Sequence, residues 1–548
     1  LDKESKFKFL IIFVTVLTLF VFLKNSWALF KQEYPSEAYV YTLLEEAKKS
    51  HTDRAITLAK EAIQIAPEVP EPYFFLAKKV FSLTPEALSE SIKYFLKGVH
   101  SYTKSFWHIY NFTGTVLSGL WLSLFITILS VSLINLIFNL PLFVHTVLED
   151  KRKVLIGGIA ILSLLGIVPM LGIITFFGFW GVKGKLKRLF LFLMISALLL
   201  LTIGTFLSKY LPIGLSPLVK AEVGINTGRS FNYPERLFRD RDFNSMFSMA
   251  LAMQNRGLLE NSIKIYRELL TYNNDPKIYV NIGNCYALKG ELKKAIEFYK
   301  KAISEKPLAS AYYNLSVVTR ELLDFAKADE YFMKAASIDL TKINSVIRIQ
   351  EKESLPVLLN EKLSPMQLFQ NLLNKSITEI FSPWYLTKMG IILFLIGLFY
   401  YLNKDKTIAQ RCRKCGKIYC LKCESRIHWS ALCSDCFKTM VSFEIPATER
   451  IEHIMRTYNF QKKRRTFLSL SSWFLPGVTL TQSTPFKGTI ISFFFFFFLS
   501  LTLVSGIFNF NILLSEQGIF RIFYFFVAVV IYLYGISYTK KRVRKGLI

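Results

Sequence analysis

Residues 276–307 read PKIYVNIGNCYALKGELKKAIEFYKKAISEKP, and this stretch decides the fold of the central part of the chain. Tyr279, Ile282, Gly283 and Tyr286, then Ala295, Tyr299 and Ala302, recur at helical spacing in two blocks. Gly283 and Ala295 mark the closest approach of two antiparallel helices, where a larger side chain would push them apart. Tyr286 and Tyr299 are expected to fill the seam to the next pair, and Pro307 to stop the second helix. The block recurs with a step of 33 residues from Phe243, Pro276 and Ala309. The third copy carries Tyr312, Leu315, Ser316, Ala328, Phe332 and Ala335. The first, weaker copy carries Met246, Met249, Ala250, Gly257, Ser262 and Tyr266. A single degenerate copy starts at Ser36, with Ala55, Ala62 and Pro67, and a helix over Glu71–Ser82 follows it.

These positions resemble the tetratricopeptide repeat at its aromatic, Leu, Gly, Tyr, Ala, Phe, Ala and Pro sites. The resemblance implies a superhelix of helix pairs with a concave face. In such families, Asn on the inner helices holds a bound peptide backbone. The matching residues are Asn281 and Asn314, with Asn284 pointing the same way. A side-chain amide offers a donor and an acceptor, so it pairs with any peptide unit. A solvated polar face is the plainer alternative. The basic residue that some families use to clamp a terminal carboxylate is missing, because Val280 stands there.

Outside the repeats, composition sets the frame. The 548 residues carry a formal charge of +28, 52% hydrophobic residues and 50 Phe. Mean hydropathy is +0.34, which argues against a wholly soluble enzyme. The apolar content excludes disorder, and 7 Cys in this length exclude a disulfide scaffold. A multi-pass membrane protein with water-exposed insertions remains. Crossing a bilayer takes about 20 apolar residues. The expected layout is an amino-terminal anchor at 1–28, a degenerate repeat domain at 29–105 and membrane helices at 106–208. A repeat domain at 209–383, a membrane helix at 384–403 and a basic finger at 404–465 follow. An interfacial segment at 466–486 and two membrane helices with a basic tail at 487–548 complete it. Asn139-Leu-Pro141 is expected to break the long second span. Ser26 and Ala28 suit a signal peptidase, but the length of the first apolar run favours an uncleaved anchor.

Cytoplasmic loops are rich in Lys and Arg. Lys404–Arg465 has 15 basic and 6 acidic residues, whereas Lys31–Lys104 has 10 of each. Lys209–Glu379 carries 24 basic and 19 acidic residues over a much longer stretch. The insertions are therefore expected outside the membrane, with the finger and the carboxyl end inside. A re-entrant hairpin at 154–182, turned at Pro169, satisfies all of these assignments; a full crossing there does not.

Six of the seven Cys fall within 25 residues: Cys412, Cys415, Cys420, Cys423, Cys433 and Cys436. A Cys-x-x-Cys turn presents two thiolates to a metal, and two turns complete a zinc tetrahedron. Gly416 permits the tight knuckle after the first pair. The string resembles the latter part of a FYVE-type cross-brace finger. That resemblance implies that Cys412 and Cys415 share a zinc with Cys433 and Cys436. Cys420 and Cys423 then lack partners; they recruit His428 and one further ligand around a second zinc, or stay a reduced dithiol. An iron–sulfur cluster, a redox dithiol and nucleic-acid binding are lesser alternatives, since basic residues beside a membrane more often meet anionic lipid. Cys285 lies apart, in a repeat helix, where it reads as packing.

Leu475-Pro476-Gly477 followed by Gly488 and two spans resembles a small bacterial membrane module with an interfacial lead-in. The chain as a whole resembles multi-pass bacterial proteins with tetratricopeptide repeats and a zinc ribbon, which implies the inner membrane. The chain shows no Gly-x-Ser-x-Gly, His-Glu-x-x-His, phosphate loop or dinucleotide fingerprint. The enzymatic rival is a membrane glycosyltransferase using a lipid-linked sugar, with Glu33 and Glu37 near the usual acidic position. The expectation is a mostly α scaffold that binds a protein partner in the repeat groove.

Overall fold

The computed structural model describes residues 36–82, 84–102, 104, 106–148, 166–180, 182, 184–229, 242–353, 357–369, 383–402, 410–412, 414–419, 432–441, 446–507 and 518–544. The anchor at 1–28, Glu33, Cys420, Cys423 and His428 lie outside the described residues. So does 154–165, the first part of the expected hairpin. The described chain is mostly α-helical and divides into two compact units.

The first unit holds Ser36–Lys49 (α1), Thr52–Ile65 (α2), Glu71–Val80 (α3) and Pro85–Tyr102 (α4) from the first insertion. It also holds the second insertion. Pro217–Thr227 (α8) leads into three helix pairs: Phe243–Asn255 and Leu259–Leu270 (α9, α10), Pro276–Leu288 and Leu292–Glu305 (α11, α12), and Ala309–Glu321 and Phe325–Ile338 (α13, α14). Leu340–Glu353 (α15) follows. The inner helices start at Phe243, Pro276 and Ala309, the three residues that the 33-residue step picked out.

Gly283 is required by a close approach: a Cβ there would lie 2.5 Å from the Tyr299 ring. Tyr299 therefore packs against the inner helix of its own pair, and its hydroxyl shares the Asn284 oxygen with Asn314 of the next. Tyr286 also reaches a neighbouring pair, because its hydroxyl accepts from Arg267 of α10 at 2.8 Å. The turns inside the pairs need positive φ, at Gly257, at Gly290 and, in the third copy, at Leu323 with φ 65°.

The two insertions share one core. Val40, Leu44, Ala55, Ala59 and Leu76 of the first bury against Ile349 of α15. Arg348 donates to the carbonyls of Gln64 and Ile65, where the free carbonyls at the end of α2 attract a cation. Glu71 of α3 is buried and pairs with Arg229, which follows α8. Arg229 also donates to the Tyr41 hydroxyl at 2.7 Å and covers that ring. His108 lies 3.1 Å from the same carboxylate. Burial alone would raise the Glu71 pKa, but Arg229 and His108 outweigh it and bring it down to about 2.

The second unit is apolar on a larger scale. Phe106–Leu148 (α5) begins in the first unit and continues in the second from Gly114. Ile167–Gly178 (α6), Lys185–Leu215 (α7) and Pro383–Leu402 (α16) build a core with it around Leu171, Phe176, Phe190, Ile392 and Phe399. Among the described residues, five helices are long and apolar enough to cross a membrane: Phe106–Leu142, Lys185–Ser208, Pro383–Tyr401, Pro485–Ser505 and Arg521–Arg544. The 12-residue α6 is too short.

The expected break at Asn139-Leu-Pro141 does not occur, since α5 runs through Pro141 to Leu148. Its wall is fastened to α6 instead. A Cβ on Gly178 would meet the Ser132 carbonyl at 2.6 Å, and Asn139 donates to the Gly178 carbonyl at 2.7 Å. Ser132 and Thr175 add a hydroxyl pair at 2.8 Å. Such contacts between helices pair polar groups inside an apolar core.

A two-stranded antiparallel ribbon, Gln410–Arg411 (β1) with Ile418–Tyr419 (β2), opens the finger. Ser434–Val441 (α17) closes it and Ala447–Phe474 (α18) packs beside it. α18 runs across the expected finger boundary at 465, so finger and lead-in share one helix. Leu475-Pro476-Gly477 then bends back on Pro485–Ile507 (α19), which is followed by Gly518–Arg544 (α20). The Ser492 hydroxyl donates to the Pro476 carbonyl at 2.9 Å, and a Cβ on Gly488 would strike the Gly477 carbonyl at 2.6 Å.

Candidate peptide groove and metal centre

The concave side of the repeats holds an extended segment of the same chain. Leu359, Glu361, Leu363 and Pro365 are buried, while Asn360, Lys362 and Ser364 are half-buried: a period of two. In an extended backbone, the N–H and C=O of one residue share an edge. Asn314 of α13 uses both for Leu359: its Nδ2 donates to the carbonyl at 2.8 Å, and its Oδ1 accepts the amide at 2.7 Å. One repeat earlier, Asn281 of α11 treats Glu361 alike, at 3.0 and 2.8 Å. Asn226 of α8 accepts the Leu363 amide at 2.9 Å. Side-chain amides thus replace a neighbouring β-strand at every second residue.

Asn284 binds the ladder together. It donates to the Leu359 carbonyl at 2.9 Å and to Asn360 Oδ1 at 2.7 Å. Its own oxygen accepts from Tyr299 and Asn314. Asn281, Asn284 and Asn314 are fully buried, so none offers an amide to solvent in this arrangement. The backbone that Asn281, Asn284 and Asn314 hold here is the chain's own.

The side chains of the segment are read as well as its backbone. Leu359 enters an apolar seat of Tyr313, Ala335, Ile343 and Val346. Glu361 enters a polar one: Lys342 Nζ lies 2.7 Å from its carboxylate, and the Ser310 hydroxyl donates to the same oxygen. Burial would raise this pKa, but Lys342, Ser310 and Lys277 together hold it below the ordinary carboxylate range. Asn226, Ser310, Lys342 and the segment itself escaped the sequence reading. Asn226 lies before the repeats and Lys342 at the end of the last one, where the repeat pattern does not point to them.

The second centre is the cysteine cluster. Sγ atoms of Cys412, Cys415, Cys433 and Cys436 lie within 4.8 Å of one another, with 3.6 Å between Cys412 and Cys436 and 3.5 Å between Cys415 and Cys433. Zinc–sulfur bonds of about 2.3 Å in a tetrahedron separate sulfurs by about 3.8 Å, so the four fit that ion. The pairing is the one the cross-brace resemblance implied. Cys412 N donates to the Lys417 carbonyl at 2.8 Å and Gly416 N to the Cys412 carbonyl at 3.0 Å, which forms the knuckle. Gly416 has φ 78°, and a Cβ there would strike the Phe460 ring of α18.

Burial raises the Cys412 pKa, but amide donors from Cys415, Cys433 and Lys414 prevail and bring it down to about 7. Burial and the Cys415 sulfur leave Cys433 raised to about 12. His453 Nε2 stands 3.1 Å from Cys436 Sγ, a neighbour the sequence did not suggest. A cavity of about 570 Å³ opens beside it, lined by Lys414, Arg450, Lys462 and Arg465 and by hydroxyls such as Thr457 and Tyr458.

Comparison with known families agrees with this geometry. The tetratricopeptide repeat model matches residues 276–307 and matches again at 309–342. Two tetratricopeptide repeats are therefore present, in a region whose class typically mediates protein–protein interaction. No curated protein matches the chain.

Proposed function

We propose that the protein is a membrane-embedded scaffold whose tetratricopeptide groove holds an extended peptide segment by its backbone. The observation that carries this reading is the amide ladder from Asn226, Asn281 and Asn314 onto Leu363, Glu361 and Leu359. The finger takes one structural zinc through Cys412, Cys415, Cys433 and Cys436; Cys420 and Cys423 are candidates for a second. A closed four-thiolate site contributes folding energy and does no chemistry.

Packing supports a topology. The two insertions bury a common core, so they belong on one side of the membrane. Among the described residues, two long helices, α5 and α7, lie between them and the 12-residue α6 is too short to cross, which supports an even parity. We place the repeat unit outside, on the charge distribution, and the finger and the Lys540–Lys545 tail in the cytoplasm of a bacterial inner membrane. The cationic cavity at Arg450, Lys462 and Arg465 supports contact with anionic lipid, since none of the three forms an ion pair among the described residues.

The test is a crosslinked pull-down from mild detergent with wild type and the Asn281→Ala/Asn314→Ala variant, each checked by thermal melting. Loss of a defined set of partners in a folded variant supports the groove. An unchanged set removes the groove from the function.

A further inference from the structure

The ladder alone is blind to sequence, since it touches only main-chain atoms. Specificity must come from the side-chain seats between its rungs. There are three, at alternate residues: an apolar seat filled by Leu359, an acid seat filled by Glu361 and a buried position filled by Leu363. The acid seat is built rather than incidental. Lys342 is 7% exposed and its ammonium faces the carboxylate, with Ser310 beside it at 0%. A buried ammonium is costly without an anion, so an occupant without an acid at this register is rejected.

The resident segment is also held in a way that permits exchange. In this segment, the Leu359, Glu361 and Leu363 amides donate to Asn side chains and not to another backbone. Its bonds run to side chains, chiefly Asn, whose helices stay intact when it leaves. Asn360 is held in the same manner by Gln254 and Asn284.

We infer that 357–364 is a resident ligand that occupies the groove, and that the groove's protein partner displaces it with an extended Leu-x-Glu-x-Leu segment of its own. This rests on the scaffold reading above and names its partner class and its control. The tether favours the resident segment, because a short linker gives an effective concentration of ~1 mM. A free peptide of equal intrinsic affinity must approach that level to compete. A partner wins through further contacts outside the groove, so the resident segment sets the threshold for capture.

The experiment uses full-length protein in detergent and a fluorescent peptide of residues 357–366. One arm is wild type. A second carries Leu359→Asp with Glu361→Lys, which unseats the resident segment and leaves every groove residue in place. A third adds Asn281→Ala and Asn314→Ala to the second. The unseated variant is expected to bind the peptide at least about tenfold more tightly than wild type. The third is expected to lose binding, and a peptide with Lys at the Glu361 position to fail throughout. Hydrogen exchange of 357–364 in wild type gives a check free of mutation: excess peptide should speed exchange of the Leu359, Glu361 and Leu363 amides.

No peptide binding by a folded unseated variant, with exchange unmoved in wild type, overturns the inference and makes 357–364 a permanent part of the fold. If that variant still co-purifies the wild-type partners, the scaffold reading survives through another surface. If the peptide binds but wild type and variant recover no partner, exchange stands and the scaffold reading falls. Exchange of the resident segment between two copies of the chain would show as dimers in wild type and counts against a foreign partner.

Discussion

Removing the charge opposite Glu361 should release the segment from the groove. Lys342 and Glu361 approach to 2.7 Å with side chains 9% and 2% exposed. At an effective dielectric of ~20, two unit charges at that distance attract by about 6 kcal/mol, part of which desolvation cancels. Lys342→Met leaves a buried carboxylate facing only Ser310 and the more distant Lys277, and should cost ~3–5 kcal/mol. Glu361→Gln keeps an acceptor for Ser310 but leaves the ammonium facing an amide, at about 1–3 kcal/mol. The double variant removes both charges, so its cost should fall well below the sum, with a coupling of about 2 kcal/mol or more.

The assay is hydrogen exchange of the Leu359 and Glu361 amides in the full-length protein, whose acceptors are Asn314 and Asn281. Lys342→Met should speed them by roughly two to four orders of magnitude, and the double variant should return most of that. Additive costs, within ~0.5 kcal/mol, would refute the buried pair as the lock. The pH sign follows from the same pair. The Glu361 pKa is lowered by folding, so its contribution is complete above the ordinary carboxylate range. It is lost as the pH falls below that range through the folded value. Opening should therefore accelerate in acid and stay flat between neutral and mildly alkaline pH.

Four further outcomes are expected. Glu222 is pushed up to about 7, first by burial and then by Asp242 against a Ser245 hydrogen bond. Stability of the repeat unit should thus fall by ~3 kcal/mol as the pH rises from 4.5 to 7, and Glu222→Gln should flatten that part of a melting profile. Elemental analysis should return zinc that Cys412→Ser or Cys433→Ser removes, with loss of protease protection around Gly416 and Phe460. Leu323→Gly relieves a positive φ of 65° at the turn where the other two copies carry Gly, and should raise stability by about 1 kcal/mol in thermal unfolding. Arg450→Gln with Lys462→Gln and Arg465→Gln should weaken association with vesicles containing phosphatidylserine and leave neutral vesicles unaffected.

The repeats were legible because their cause is local. Gly283 must be small for the Tyr299 ring, and the 33-residue step repeats that need at each helix pair. The long apolar helices among the described residues were legible for the same reason, since apolar length is a one-dimensional property. The clustering of Cys412, Cys415, Cys433 and Cys436 was legible because two Cys-x-x-Cys turns have the residue type and spacing that a metal would require. The union of the two insertions was not. It rests on Glu71 meeting Arg229, 158 residues apart, and on Ile349 entering a core of residues below 80. Charge balance suggested that both insertions lie on the same side, but it carries no information on contact. Pro141 misled for a different reason: a proline marks a probable break from sequence, whereas α5 continues through it to Leu148.

The groove shows how far a correct chemical reading reaches. An amide pairs with any peptide unit, and Asn281 and Asn314 each bond both hydrogen-bonding groups of one residue of the chain's own segment. That indifference is why the clamp could not name its occupant. A partner and the chain's own segment present the same N–H and C=O. The occupant betrays itself only through its side chains, in a run of Leu359, Glu361 and Leu363 that sequence cannot tell from any short strand. The acid seat breaks the symmetry. A buried Lys342 needs a carboxylate at one register, so it fixes which residue of a segment meets Asn281 and thereby aligns the whole ladder. Register, in this groove, is set by one ion pair, while holding strength is spread along the backbone bonds. A partner therefore needs little in common with 357–364 beyond one correctly placed acid between two apolar residues.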